Sequence, residues 1–189
     1  MTDSSTGDRG GGHMSQSIIR DEIKYVRGDD IAPTNQAKTV VETFAKDVAS
    51  QFGFGIGNDV SELVRELGGR IRYEDIMESI EEESGSIVVH GQHDFDITLP
   101  HYTSALRDRF TIAHELGHFL LHSDLGATPI IAYRNGSGRI EWEANWFAAG
   151  LLMPAEEFRA ECQLPDVSTA QLAAKFGVSL DAARIRQEA

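Results

Sequence analysis

The stretch "RFTIAHELGHFLLH", Arg109 to His122, sets two histidines and a glutamate inside an apolar run. Its apolar positions recur at helical spacing from Ser104 onward, so it reads as a helix packed into a core. On a helix, residues four apart stack on one face, and His114 and His118 can therefore reach a single ion. Glu115 is turned by about 100° from His114. It can approach a water on that ion without being a ligand itself. The spacing His-Glu-x-x-His thus points to metal-assisted hydrolysis: zinc would bring the pKa of its water toward neutrality, and the carboxylate would take the proton. The competing reading is three ordinary polar residues on the exposed side of a core helix. Against it stand the flanking Phe110, Ile112, Ala113, Leu116, Phe119 and Leu120, because burying three polar groups without partners is costly.

A catalytic zinc takes three protein ligands and keeps one position for water. A third ligand at the metzincin spacing would fall on Asp124, but position 121 is Leu where that pattern has its bending Gly. The second source is the stretch "IEWEAN", which offers Glu141 and Glu143. These point about 200° apart on a helix, so only one can face the metal. Glu141 shares its face with Asn145 and Ala148, which would allow close helix approach and a hydrogen bond to a ligating histidine. Glu141 is therefore the expected ligand, and Glu143 the residue whose loss should cost the site little. His122 extends the four-residue series, but helix drift should carry it off the metal, to the surface or to a place bracing a ligand.

Around this motif the chain reads as mixed α and β. "TNQAKTVVETFAKDVASQFG" and "NDVSELVRELGG" read as helices, the second opened by Asn58 or Asp59. "RIRYED", "GSIVVHG" and "DFDITLP" alternate and read as strands of a small antiparallel or mixed sheet of about three to five strands. Glu81 to Glu83 read as a charged, solvated turn. "SDLGATPIIAYRNGSGR" reads as a loop, followed by "IEWEANWFAAGLLM", a helix stopped by Pro154, and a further helix from "PAEEFRAECQ". The last 24 or so residues read as helix, turn at Gly177, helix. The expected fold class is α+β and mainly helical. The expected organisation is a disordered tail over 1–17 (partly an expression tag, His13 included), a catalytic domain over 18–165 and a C-terminal hairpin over 166–189.

Composition limits the function classes. The chain has 189 residues, 41% hydrophobic and 25% charged, with net charge −13. Such acidity repels phosphate backbones and anionic membranes, and no apolar run reaches the roughly 20 residues of a membrane span. One cysteine, Cys162, excludes an internal disulfide and suits a reducing cytoplasm; it is expected to be an inert thiol. His90, His93 and His101 are expected at the surface. Tyr133 is a possible stabiliser of a tetrahedral intermediate, outside the catalytic set.

The blocks "RFTIAHELGHFLLH", "EWEANWFAAGLLMP" and "LAAKFGVSLDAARIR" follow one another in an order that resembles the ImmA/IrrE family of metallopeptidases, from about Ser86 to Arg186. The resemblance implies a small zincin-like fold in which a helix pair holds zinc. It implies His114 and His118 as the metal histidines, Glu115 as general base and Glu141 as the glutamate ligand. It also implies a protein substrate, a helix-turn-helix transcriptional repressor, whose cleavage turns on mobile-element or stress-response genes. Manganese or iron(II) would also suit two histidines and a carboxylate.

A function of another class competes. "TAQLAAKFGVSLDAARIRQ" has the pattern of a DNA-reading helix-turn-helix, so a non-proteolytic regulator binding DNA or a repressor is the alternative. The tail holds few cations for phosphate contacts. A structural hairpin or a partner-docking surface is the expected reading, and direct DNA binding is not expected.

Overall fold

Each helix begins and ends where local chemistry directs it. The computed structural model describes residues 23–74, 86–133 and 138–188; the acidic run Glu81–Glu83, His13 and the N-terminal tail lie outside them. Helix α1 (Lys38–Gln51) buries Val41, Ala45 and Val48, three positions on one helical stripe. Helix α2 (Val60–Glu66) is opened by Asp59, whose side chain accepts from the Ser61 amide at 2.9 Å. Helix α3 (Ala105–Gly117) opens on Ser104 in the same way and continues into a π-helical turn, His118–His122. Helix α4 (Arg139–Leu152) ends just before Pro154, which in turn precedes α5 (Ala155–Cys162). A capping box at Ser168 and Gln171 starts α6 (Thr169–Phe176). Gly177, at φ 63°, turns the chain into α7 (Leu180–Glu188), a backbone region that favours glycine.

The sheet is mixed. Its strands are β1 (Val26–Arg27), β2 (Gly69–Glu74), β3 (Ser86–Gly91), β4 (Asp94–Pro100) and β5 (Ile130–Tyr133), in the order β1-β5-β3-β4-β2. Strand β3 runs antiparallel to β4 and to β5, while β2 pairs with β4, and β1 with β5, in parallel. Three of these strands match the alternating stretches of the sequence. Strand β5 corrects the loop expected there: Ile130, Ile131 and Ala132 are all buried, and a strand buried on both faces shows no alternation to read.

Helices cover one face of the sheet. Ile87, Val89, Phe95, Ile97 and Leu99 are all completely buried there, and Phe95 stacks on Phe119 of the π-helical turn at 4.2 Å between centroids. Thus the sheet props the very segment that carries the histidines. Helix α4 packs against both α1 and α3. The C-terminal hairpin joins the same core through Leu172, Phe176, Val178 and Ala183, with Phe158 against Phe176. Cys162 packs against that core, partly buried.

Candidate metal centre

Helices α3 and α4 meet closely at Gly117. A Cβ there would stand 3.0 Å from the Ala144 Cα and 3.2 Å from its carbonyl oxygen, so a larger side chain would force the helices apart. This approach carries Glu141 against the two histidines. Glu141 Oε2 lies 3.2 Å from His114 Nε2, Glu141 Oε1 lies 3.3 Å from His118 Nε2, and the two Nε2 atoms are 3.2 Å apart. Among the described residues, His114, His118 and Glu141 are the group of donors able to share one ion, and all three are buried.

The triangle can be tested against the ion it would hold. Four-coordinate zinc with bonds of about 2.0–2.1 Å requires ligand atoms about 3.3–3.4 Å apart. The edge between the two Nε2 atoms is close to that value, and each histidine meets a different oxygen of Glu141 at a similar distance, Oε2 for His114 and Oε1 for His118. Burial pushes the Glu141 carboxyl up, but the facing His114 and His118 imidazoles outweigh it and hold the group at about 2. Its carboxylate is thus poised to accept a cation.

The remaining residues around the triangle divide clearly. His114 Nδ1 lies 3.0 Å from Asn145 Oδ1; since the amide oxygen accepts, Nδ1 carries the proton and Nε2 presents its lone pair to the triangle. Glu115 is fully buried on α3 beside His114 and is not among the three donors. Asp124 is exposed in the turn after the π-helix, at φ 51°. Tyr133 is about half exposed at the end of β5.

Two further residues lie behind the triangle. Of the two places left open for His122, the structure shows the one beside a ligand: it is buried, and its Nδ1 lies 3.1 Å from His118 Nδ1. Both histidines lie in the π-helical turn, closed by Ser123 N–H donating to the His118 carbonyl. Glu143 is completely buried as well, with Oε2 3.1 Å from His122 Nε2 and 2.8 Å from the Thr34 amide. Its Oε1 accepts from Arg139 Nε at 2.9 Å. Burial opposes ionisation of Glu143, but the Thr34, Arg139 and His122 hydrogen bonds prevail and hold its pKa low. Burial lowers His122 to about 4, helped by its neighbour His118 and opposed by Glu143. The one available signal for this pair was the third histidine of the four-residue series.

Of the other histidines, His93 and His101 are exposed as expected. His90 instead belongs to a cluster on the outer sheet face: Tyr25 Oη lies 2.6 Å from its Nδ1, and Asp96 Oδ2 lies 3.1 Å from its Nε2.

Comparison with known proteins agrees with this geometry. The profile of a peptidase family, Peptidase M78, described as the IrrE N-terminal-like domain, matches residues 65–188. No curated protein matches the chain. A solved structure described as a Mycobacterium tuberculosis transcriptional regulator aligns over 89% of this chain with a TM-score of 0.54 and 18% identity. The chain spans 48% of that protein's length, and the likeness is one of fold.

Proposed function

The chain belongs to the peptidase family of IrrE N-terminal-like domains, and from that premise we propose that it is a zinc-dependent endopeptidase cleaving a helix-turn-helix transcriptional repressor in the cytoplasm. The observation that carries the hydrolytic reading is the buried group of His114, His118 and Glu141, whose donor atoms lie within 4.8 Å of one another. The choice of a repressor as substrate, and of derepressed genes as the outcome, follows the family resemblance.

Bound by these three residues, a divalent cation supplies Lewis-acid activation of a water and of the scissile carbonyl. Glu115, next to a ligand on the same helix, takes the proton of the attacking water. It then delivers that proton to the leaving amine nitrogen as the C–N bond breaks. Asn145 holds the ring of His114, so that its Nε2 lone pair faces the site. Manganese or iron(II) is compatible with the same donors.

The hairpin gives no support to a DNA reader. Its three cations are all engaged: Lys175 with Glu161, Arg184 with Asp181 and Glu188, Arg186 with Glu42 and the Met153 carbonyl.

The deciding experiment is Glu115→Gln. The substitution keeps size and a hydrogen-bonding oxygen, so metal content and fold should match the parent. Cleavage of a repressor that the parent cuts should fall by about 10²–10⁴, the usual worth of positioned proton transfer. A mutant that cleaves at the parent's rate would remove Glu115 from the mechanism. A parent that binds the repressor without cutting it, equalled by the mutant, would establish the non-proteolytic regulator instead.

A further inference from the structure

Helix α4 meets the metal triangle directly through Glu141 and Asn145, and at one remove through Glu143. Glu141 is in the triangle and Asn145 braces His114 directly. Glu143 reaches no metal donor, yet it is completely buried and connected through His122 to His118. We propose that His122 and Glu143 form a two-residue positioning relay, which fixes the tautomer and ring orientation of His118 and so sets the metal affinity of the site.

Hydrogen-bond direction carries the argument. The contact between His118 Nδ1 and His122 Nδ1, at 3.1 Å, needs one donor and one acceptor. Glu143 decides which is which. As a carboxylate it only accepts, so the His122 nitrogen facing it, Nε2 at 3.1 Å, carries the proton. His122 Nδ1 is then bare and accepts from His118 Nδ1–H. His118 Nε2 is left with its lone pair, directed at Glu141 Oε1 and His114 Nε2.

The carboxylate end of the relay is anchored. Thr34 N–H holds Glu143 Oε2, and Arg139 Nε holds Oε1. The Arg139 guanidinium itself lies 4.7 Å over the Trp146 ring. Thus the segment before α1, helix α4 and the π-helical turn converge on one imidazole. His118 and His122 stand four residues apart within that turn, the spacing that stacks side chains on one face. The plainer reading is a buried ion pair between Arg139 and Glu143 that only steadies α4. It leaves the His122 contact idle.

This inference rests on the metal site proposed above. Its test measures zinc affinity by competition with a chelator, and the thermal midpoint of the metal-free chain, for the parent, His122→Leu, Glu143→Gln and the double variant. Each single variant should bind zinc about 10–100-fold more weakly, the usual worth of a residue orienting a metal ligand. The double variant should bind within about twofold of the weaker single, because both act through one contact. His122→Asn keeps an acceptor beside His118 but does not reach Glu143. It should retain more affinity than His122→Leu and make a further Glu143→Gln change silent. It also serves if the leucine variant fails to fold. Unchanged affinity in Glu143→Gln with a lowered thermal midpoint would overturn the relay in favour of the ion pair; so would losses that simply multiply in the double variant. A parent that binds no zinc would refute both the relay and the metal site, whereas a parent that binds zinc but cuts nothing would refute only the protease.

Discussion

At the residue scale, the centre depends on three side chains contributed by two helices, and each has a distinct vulnerability. His114→Ala and His118→Ala each remove one of three protein donors, so both should lose most of the bound metal, as elemental analysis of the purified chain would show. Glu141→Ala should do the same, because among the described residues no other carboxylate joins the group. Glu143 is no longer a neutral control for Glu141, as its helical position alone implied. It accepts from Thr34 and Arg139 and faces His122, so its replacement should weaken metal binding without abolishing it. Full occupancy in both histidine variants would place the metal elsewhere.

At the element scale, the approach of α3 and α4 matters most. Gly117 sits where a Cβ would press on the backbone of Ala144 at 3.0 Å, and backbone cannot rotate aside as a long side chain can. In an ordinary helix interior, glycine to alanine stabilises by about 0.5–1 kcal/mol. Here Gly117→Ala should instead destabilise by about 1–3 kcal/mol, the usual cost of overpacking, and should weaken zinc binding as Glu141 is pushed from the histidines. Thermal unfolding of the metal-free chain reads the first effect, and chelator competition the second. A higher melting temperature in the variant would show that the helices yield without strain. The π turn adjoins this contact: α3 and α4 bring the donors together, and His122 in the turn lies against His118.

At the scale of the whole molecule, the two sheet faces are built differently. On β3 and β4 the inner face is apolar and completely buried, whereas the outer face around Asp96 is held by charge. Asp96 is mostly buried and accepts from Arg70 Nε at 2.6 Å, with His90 and Arg72 beside it. Burial pushes the Asp96 carboxyl up, yet its hydrogen bonds with Arg70 and His90 outweigh that and hold it at about 2, below the ordinary 3.8. The folded state therefore favours the charged form. Its contribution is complete above the unfolded value and is lost as pH falls from about 4 toward 2. Asp96→Asn should cost on the order of 1–2 kcal/mol at neutral pH and should flatten the acid limb of the stability curve. Denaturant titrations between pH 7 and pH 2 would measure it; parent and variant losing stability in parallel would assign the acid limb to other carboxylates.

What the amino-acid sequence determined by itself is local. Four-residue spacing placed His114 and His118 on one face, and periodicity, with a cap at Asn58 or Asp59 and a turn at Gly177, marked helices that the structure contains. Alternation marked β2, β3 and β4. Each of these signals depends on residues within a few positions of one another. Only the tertiary structure decided what depends on distant segments meeting. It set Glu141 against the histidines and left Asp124 exposed, because the fit turns on the α3–α4 approach allowed at Gly117. It paired β5 with β1 and β3, since a short strand buried on both sides is stabilised by its neighbours and carries no pattern of its own. It also drew His122 and Glu143 together from 21 residues apart, because a buried imidazole and a buried carboxylate are tolerated where each meets the other's hydrogen-bonding need.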